Sequence, residues 1–286
     1  MIAEELLQGA LAEAQRLGAD YAEARAADQR GETINGRDSA VERLTRDADG
    51  GWGLRVAVNG GWGFAATAET TPDAVAATAA RAVEIARASA ARRVQPLLLD
   101  DMPRARGSYA TPMGRDPFAV PVEERIDLLL RALGAARATH ARVKVAEGHI
   151  RLWHTDKLFV NTTGARLHQQ STACEGEIRV YAQDDGGYSY GRSYGNMAQA
   201  GWEYIEALRL VEEAPRVAQE AADLVVAEWA PAGPRTVVVG PGMMALLIHE
   251  SCGHPIELDR VLGWEAAFAG TSFLMPDMRG QFRYGS

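Results

Sequence analysis

A helix followed by a run of short alternating segments occurs twice along this chain, and this repetition constrains the fold more than any other feature. In the first block, apolar residues at helical spacing predict a helix over residues 2–17. The clearest hairpin lies at 54–67, where Asn59-Gly60 supplies the two positive φ angles of a type I′ turn. The cap residues Thr71-Pro72-Asp73 then open an alanine-rich helix that runs to about Ser89. The block also contains a predicted strand and a predicted turn, at 19–27 and 34–37.

The second block repeats this order. Pro121 starts a predicted helix whose apolar residues share one face, namely Ile126, Leu129, Leu130 and Leu133. Five predicted strands follow it, at Val143–Trp153, Lys157–Val160, Arg166–Ala173, Gly176–Gln183 and Gly187–Tyr194. Residues 202–229 are predicted to be helical, and Pro215 within them is compatible with two helices or with one kinked helix. The proline-rich residues 95–121, before this block, are predicted to form an irregular connector over the surface.

These patterns predict an α+β fold of antiparallel meander sheets with packed helices and a possible internal duplication. Residues 1–100 and 101–230 form the two blocks of one N-terminal region. The segment Pro231-Ala232-Gly233-Pro234 is the predicted boundary, and residues 231–286 are the start of a C-terminal domain. Antiparallel meanders have edges to which an extended peptide can add as a strand, and the sequence does not identify which strand lies at the edge.

The composition excludes several classes of function. A net charge of −8 and a pI near 5.4 argue against a protein that binds nucleic-acid phosphates, which would normally have a basic face. The two cysteines lie far apart, which predicts no disulfide framework and is typical of a reducing compartment. The N-terminus lacks the basic and apolar parts of a signal peptide, and the longest apolar run, near 237–248, is too short to span a bilayer. The sequence therefore predicts a cytoplasmic protein that binds neither nucleic acid nor membrane.

The residues with the clearest chemistry lie at the end of that apolar run. A β-branched segment stops at Gly240-Pro241-Gly242, and the next residues predict a helix that is buried around nearly its whole circumference, through Met243, Met244, Leu246, Leu247 and Ile248. His249 and Glu250 end this helix, and His254 follows. Two imidazoles and a carboxylate within six residues meet the needs of a hydrolytic zinc site, which are neutral nitrogen ligands and a base. The alternative interpretation is a pair of structural histidines at a helix end.

The spacing of the two histidines requires a distorted backbone. Five residues of an ideal helix correspond to about 140° of rotation, so the two rings could not face one metal ion. Gly253 permits a C-terminal cap or a π-type bulge, and Pro255 disfavours helical geometry at His254. We therefore expect His249 on the last full turn and His254 just beyond it, turned back towards the same point. Glu250 is then the general base rather than a ligand.

The H-E-x-x-x-H segment at 249–254, followed by Glu257 and Asp259, resembles the TldD/PmbA family of metallopeptidases. It resembles the TldD-like branch in particular, because the PmbA-like partners generally lack the His-Glu-His set. Weaker similarity to the family lies in four other segments, at 51–56, 109–112, 268–274 and 285–286. The resemblance extends from about residue 20 to the last residue.

This resemblance implies a zinc-dependent endopeptidase that acts on unfolded or flexible peptides bound in extended form. His249 and His254 would bind zinc, and Glu250 would be the catalytic base. Members of the family are longer and take a third ligand from a C-terminal cysteine. We therefore expect a shortened chain with its third ligand beyond Ser286, and with little activity of its own. The resemblance also implies a homodimer, or a heterodimer with a PmbA-like subunit.

Several other residues are weaker candidates. Glu257 and Asp259 could orient the metal-binding histidines through hydrogen bonds, but acids at an exposed helix end explain them equally. Cys174 and Cys252 are both predicted to be packing residues. The remaining histidines are scattered and are predicted to lie at the surface or to be bonded locally, namely His140, His149, His154 and His168.

Two other functions are compatible with these residues. The main alternative is a non-catalytic peptide-binding or scaffold subunit of a TldD/PmbA-type complex. It is favoured by the presence of only two of the three protein ligands that are usual in a catalytic zinc site. A DNA-topology factor is suggested by the historical label of the family as a gyrase modulator, but the acidic charge argues against it.

Overall fold

A mostly antiparallel seven-stranded sheet forms the centre of the first of two units, which comprise residues 1–227 and 228–286. The structure is a computed structural model, and it describes residues 2–92, 104–281 and 283. Within those residues, the helices and strands of the first unit are α1 (Glu4–Arg16), β1 (Tyr21–Arg37), β2 (Ala40–Val58), β3 (Gly61–Thr67), α2 (Pro72–Ala90), β4 (Arg106–Ala110), α3 (Val122–Thr139), β5 (Val143–Asn161), β6 (Arg166–Gln183), β7 (Ser189–Ala198), α4 (Trp202–Leu208) and α5 (Leu210–Leu224).

The two predicted meanders join into one sheet. Its order is β3-β2-β1-β5-β6-β4, and β7 pairs with the second half of β6, on the edge that β4 occupies along the first half. The junction between the meanders is the antiparallel pair of β1 and β5, which runs from Glu23↔Asn161 to Arg37↔Glu147. Among the described strands, β4 alone runs parallel to its neighbour. The predicted α+β class and its antiparallel meanders are confirmed.

The helices of both blocks pack on the same face of this sheet. Ala22, Ala24 and Ala26 of β1 join an apolar cluster with α1 and α2, whereas Ile34 joins a second cluster with α3 and α5. These residues are all even-numbered, and no register shift separates them in the pairing of β1 with β5. Because side chains alternate between the two faces of a strand, both clusters lie on one face. Each block therefore contributes its own core to one end of a shared sheet.

The hairpin of β2 and β3 forms as the sequence predicts. Asn59 and Gly60 have φ angles of 48° and 76°, which are the left-handed values that a type I′ turn requires. The return strand is glycine-rich because α2 lies directly against it. A Cβ atom added at Gly63 would lie 2.0 Å from the carbonyl oxygen of Ala82. The close approach of helix and strand therefore excludes any side chain at this position.

The predicted cap of α2 is also present. The Thr71 hydroxyl oxygen accepts a hydrogen bond of 3.2 Å from the backbone N–H of Ala74. We expect Thr71→Ala to lower the free energy of unfolding by about 1 kcal/mol, because one N–H of the first turn loses its partner. Thr70→Ala, at an exposed neighbouring position without a capping role, is the matched control. Chemical denaturation measures both variants, and equal effects of the two substitutions would contradict the prediction.

The turn predicted at 34–37 is wrong. β1 continues through these residues, and the chain reverses at Asp38, where φ is 52°. Gly36 remains in the strand because α3 packs on it. A Cβ atom there would lie 3.0 Å from Leu133 and 3.2 Å from Leu129. The glycine thus marks close packing of a helix on a strand rather than a turn.

Other boundaries also differ from the predictions. The two pairs of short strands predicted after α3 are the long strands β5 and β6, which their pairing with neighbours makes continuous. The predicted connector contains β4, a short edge strand whose parallel pairing leaves no alternating pattern in the sequence. Residues 95–103 of that connector lie outside the described residues. Residues 202–229 contain two helices, but they join at Arg209, with φ of 51°, and Pro215, which suggested the break, lies within α5.

The second unit contains α6 (Pro241–Ile248) and α7 (Leu258–Val261), with short helical turns between and after them. Pro241 begins α6 as predicted. The prediction that α6 is buried is wrong in this structure, since its large apolar side chains are between 42% and 57% exposed. None of the described residues of this small unit is buried, because it contains no sheet or second long helix against which α6 could pack. Among the described residues, no helix is both long and apolar enough to cross a membrane.

Candidate metal centre

The candidate site lies where α6 changes its helical pitch. Directly after Ile248, residues His249–Gly253 form a π-helical turn, in which the N–H of His254 donates to the carbonyl of His249. This i→i−5 bond places residues five apart on nearly the same side of the helix, whereas an α-helix would not. Of the two distortions that Gly253 permits, the structure therefore has the π-type turn. Gly253 itself stays right-handed, with φ and ψ both at −60°.

The expected effect of Pro255 is wrong. His254 has helical angles, with φ of −62° and ψ of −41°, although a proline follows it. A single 3₁₀ turn, His254–Ile256, continues from the π turn, and Pro255 occupies its first turn, where a proline has no helical N–H bond to lose. The extra residue in the preceding π turn, rather than an extended residue before the proline, turns His254 back.

The three predicted side chains converge. The ring centroids of His249 and His254 lie 4.3 Å apart, at an interplanar angle of 68°. The carboxylate oxygens of Glu250 lie 3.9 Å from Nε2 of His249 and 3.8 Å from Nε2 of His254. One donor atom from each of the three residues lies within 4.8 Å of the others, and within the described parts of the chain no other group of histidine, cysteine or acidic residues meets this criterion. Two imidazole nitrogens beside a carboxylate are a donor set that suits zinc.

Glu257 fixes the orientation of His254. Its Oε1 atom lies 2.8 Å from Nδ1 of His254, so a proton on Nδ1 leaves Nε2 free on the side of Glu250. The hydrogen bond from His254 is the main reason that the pKa of Glu257 is lowered, and the charge of Arg260 also lowers it. Arg260 contacts Glu257 from the next turn, a partner that the sequence analysis missed although a spacing of three residues could have indicated it.

The structure does not bring Asp259 to the site. Its carboxylate accepts a hydrogen bond of 2.8 Å from the backbone N–H of Arg260, which is a local cap. The four other predicted histidine candidates also lie elsewhere, each with a local partner. These pairs are His140 with the N–H of Arg142, His149 with Glu175, His154 with Thr172 and His168 with Asp156.

The two cysteines lie in different environments. Cys174 is fully buried in β6, as predicted, and its thiol contacts the carbonyl oxygen of Ala200 at 3.3 Å. Burial, with smaller effects of Glu203 and Asp116, raises the pKa of this thiol to about 12. Cys252 is exposed within the π turn, so its predicted role as a packing residue is wrong. None of the described residues of this unit is buried, so no core covers this side chain.

This difference predicts selective thiol chemistry. At pH 8 we expect one thiol of the native chain to react with a disulfide reagent, because only Cys252 is accessible and the buried Cys174 stays protonated. Cys252→Ser should leave no rapidly reacting thiol until denaturant is added, whereas Cys174→Ser should keep one. A spectrophotometric thiol count tests both variants. Two thiols that react rapidly in the native protein would be inconsistent with the buried position of Cys174.

An α+β chain with a converging His-Glu-His group has the features of a metal-dependent hydrolase. Models of the PmbA/TldA metallopeptidase domain 1 and of the PmbA/TldA metallopeptidase central domain match residues 22–86 and 115–228, respectively. The two matches together cover more than half of the sequence. The chain belongs to the PmbA/TldD family of metallopeptidases.

Two archaeal proteins illustrate this relationship. A metalloprotease of Methanothermobacter thermautotrophicus is 26% identical over 257 residues, which are 88% of this chain and 53% of that protein. A metalloprotease of Methanocaldococcus jannaschii is 24% identical over 251 residues, or 87% of this chain and 54% of that protein. The chain thus spans about half the length of these curated relatives.

Solved structures share the fold. A proposed DNA gyrase modulator from Thermotoga maritima matches with a TM-score of 0.63 and 19% identity, over 80% of this chain and 50% of its own. A second one, from Bacteroides thetaiotaomicron, matches at 0.59 and 15% identity over 79% and 50%. TldE from Thermococcus kodakarensis matches at 0.56 and 13% identity over 77% and 47%. At these identities the similarity establishes the fold alone.

Proposed function

We propose that this chain carries the metal-binding part of a cytoplasmic, zinc-dependent endopeptidase of the TldD-like branch, which cleaves unfolded or flexible peptides. The observation that carries the proposal is the convergence of His249, Glu250 and His254 through a π turn. Relatives named metalloproteases support the same class of activity. The active form is proposed to be a homodimer or a heterodimer with a PmbA-like subunit.

The two histidines and Glu257 have separate tasks in this proposal. His249 and His254 would hold the metal ion through their ring nitrogens, together with the third ligand expected beyond Ser286. A bound zinc ion supplies Lewis acidity, which polarises the peptide carbonyl and lowers the pKa of water. Glu257 would keep His254 in the tautomer whose Nε2 is unprotonated, because its carboxylate accepts the proton of Nδ1.

Glu250 is proposed to move the proton. Its two oxygens lie beside Nε2 of both histidines, at 3.9 and 3.8 Å. In this position the carboxylate would accept a proton from the attacking water as the water oxygen bonds to the peptide carbonyl carbon. It would then deliver that proton to the amide nitrogen as the carbon–nitrogen bond breaks. The net reaction is hydrolysis, and the carboxylate returns to its starting charge.

The substrate in this proposal is an unfolded or flexible peptide, and the sheet of the first unit has edges to which an extended chain could add as a strand. Binding of the peptide in extended form, by strand-like main-chain pairing, would make recognition depend on unfolded shape more than on sequence.

Zinc binding tests the proposal without an activity assay. We expect the 286-residue chain to bind one zinc ion weakly, and His249→Ala and His254→Ala each to abolish saturable binding, because each removes one of two imidazole ligands. His140→Ala, which removes a histidine outside the cluster, is the control. Titration against a chelator of known affinity measures the difference. If both variants bind zinc as tightly as the wild-type chain does, this site is excluded, and the non-catalytic peptide-binding subunit is favoured.

A further inference from the structure

The first half of β2 is an unpaired strand edge. β2 pairs with β1 over its whole length, but β3 covers its other side only from Trp52 to Val58. Residues Glu42–Asp49 are all exposed, and no described strand pairs with them on the side away from β1. Eight consecutive residues of open edge are a template for another strand, which proteins usually cover or block.

The hairpin determines which backbone groups face this edge. A two-residue turn makes Val58 and Gly61 the hydrogen-bonded pair that closes the hairpin, so even-numbered residues of β2 point their backbone groups towards β3. The odd-numbered residues face β1, in agreement with the hydrogen bond from the N–H of Asp20 to the carbonyl of Ala57. No register shift occurs between Val58 and Arg43. The N–H and C=O groups of Leu44, Arg46 and Ala48 therefore point to the open side.

Two charged residues beside this edge have no ion-pair partner among the described residues. Arg43 and Asp47 lie on the sheet face opposite the helices, four residues apart, and neither makes an ion pair with another described residue. By contrast, Arg46 on the helix side is already bound to Glu32 at 2.5 Å. Asp49, on the same face, also makes no ion pair with a described residue, so the edge offers one cation and two anions, of which Arg43 and Asp47 are placed symmetrically about Thr45.

We propose that a second copy of this chain pairs with this edge, antiparallel and in the register that places Thr45 opposite Thr45 of the second copy. Two-fold symmetry permits only registers centred on a single residue, because paired side chains must share a face. The register centred on Thr45 places Arg43 opposite Asp47 of the second copy, twice. A register centred on Arg46 places Arg43 opposite Asp49, but it also places the two Arg46 side chains opposite each other. One centred on Asp47 places the two Asp47 side chains opposite each other, and one centred on Leu44 leaves Arg43 and Asp47 without opposite charges.

The backbone groups suit the same register. Thr45 faces β1, so the two Thr45 residues form a pair without mutual hydrogen bonds, which is the type with the closest side chains. Leu44 of each copy then lies opposite Arg46 of the other copy, and the backbone groups of these two residues exchange hydrogen bonds. Two seven-stranded sheets become one continuous sheet. An interface of one strand pair is small, so the association is weak and depends on concentration. This proposal uses no residue of the metal centre and is independent of it.

Charge reversal tests both the occupant and the register. By sedimentation velocity, we expect the wild-type chain to dimerise reversibly, and Arg43→Asp or Asp47→Arg alone to weaken the dimer about tenfold through two like-charge contacts. The double variant Arg43→Asp/Asp47→Arg should recover dimerisation. An equimolar mixture of the two single variants should also dimerise, because every contact is then complementary. A wild-type chain that stays monomeric, or single variants that dimerise like the wild type, would overturn the proposal.

A disulfide reports the register directly. In a Cys252→Ser background, Thr45→Cys should form an interchain disulfide on mild oxidation, because residues in this type of pair lie about 4.5 Å apart between Cα atoms. Asp49→Cys, on the same face and four residues away, is the control and should not cross-link. Equal cross-linking of both variants would exclude the register. A monomeric chain whose β2 amide protons become protected only when an unfolded peptide is added would exclude the second copy as the occupant.

Discussion

Replacing Arg125 by methionine is expected to lower the free energy of unfolding by about 3–5 kcal/mol, one of the two largest effects that this structure predicts. Arg125 of α3 is buried against the sheet, and its Nη1 lies 2.5 Å from Oε1 of Glu32 in β1. Burial lowers the pKa of Arg125 below its usual value, and the charge of Glu32 opposes this shift. Without Arg125, the buried carboxylate of Glu32 keeps only Arg46, which is 60% exposed and a weak partner.

The physical origin of this effect can be isolated by two further variants. Arg131→Met removes an ion pair with Asp127 on the same helix, but both side chains there are exposed, so we expect a change below about 0.5 kcal/mol. The double variant Glu32→Leu/Arg125→Met removes both buried charges and should recover much of the lost stability. Chemical denaturation measures all four proteins. A double variant less stable than Arg125→Met would show that the pair itself, rather than an uncompensated charge, stabilises the core.

Arg125 also shows where sequence patterns stop being informative. The apolar face of α3 is predicted correctly at Leu129 and Leu133, because helical periodicity depends on local spacing. A charged residue on the same helix is indistinguishable from a surface residue until its partner is known, and Glu32 lies 93 positions earlier in the sequence. Gly36 is a similar case, since a glycine under a packed helix and a glycine in a turn look alike in the sequence. In both cases the contact that decides the role of the residue is distant in the sequence.

The candidate site is more predictable because it is local. His249, Glu250 and His254 lie within six residues, and the spacing of five itself indicated a distorted helix. The sequence left two distortions open at Gly253, a C-terminal cap and a π-type bulge, and the structure has the second. The exposure of α6 could not be predicted from the sequence. Its apolar circumference indicates a helix that needs to be covered, but it does not show whether the second unit contains anything that covers it. The local geometry of a motif can therefore be predicted where its surroundings cannot.

Glu250→Gln is expected to lower kcat for hydrolysis of an unfolded peptide by about 10²–10⁴-fold, measured with the gene product at its full length, and to leave zinc affinity nearly unchanged. The amide has the shape of the carboxylate but cannot accept and return a proton at neutral pH. The carboxylate oxygens of Glu250 lie 3.8–3.9 Å from Nε2 of both histidines. This distance is short enough for Glu250 to act beside a metal ion bound there, but it is too long for a hydrogen bond to either ring.

Variants of two other glutamates in the same unit show whether Glu250 is the general base or a metal ligand. Glu257→Gln weakens the hydrogen bond that orients His254, so we expect zinc affinity to fall by about 10–100-fold and turnover to fall with it. Glu265→Gln, at a half-buried position of the same unit outside the metal cluster, should change neither quantity. If Glu250→Gln lowers zinc affinity as strongly as Glu257→Gln does, the carboxylate is a ligand and not the base. If it lowers neither affinity nor kcat, Glu250 takes no part in the reaction, because every proton transfer assigned here passes through its carboxylate.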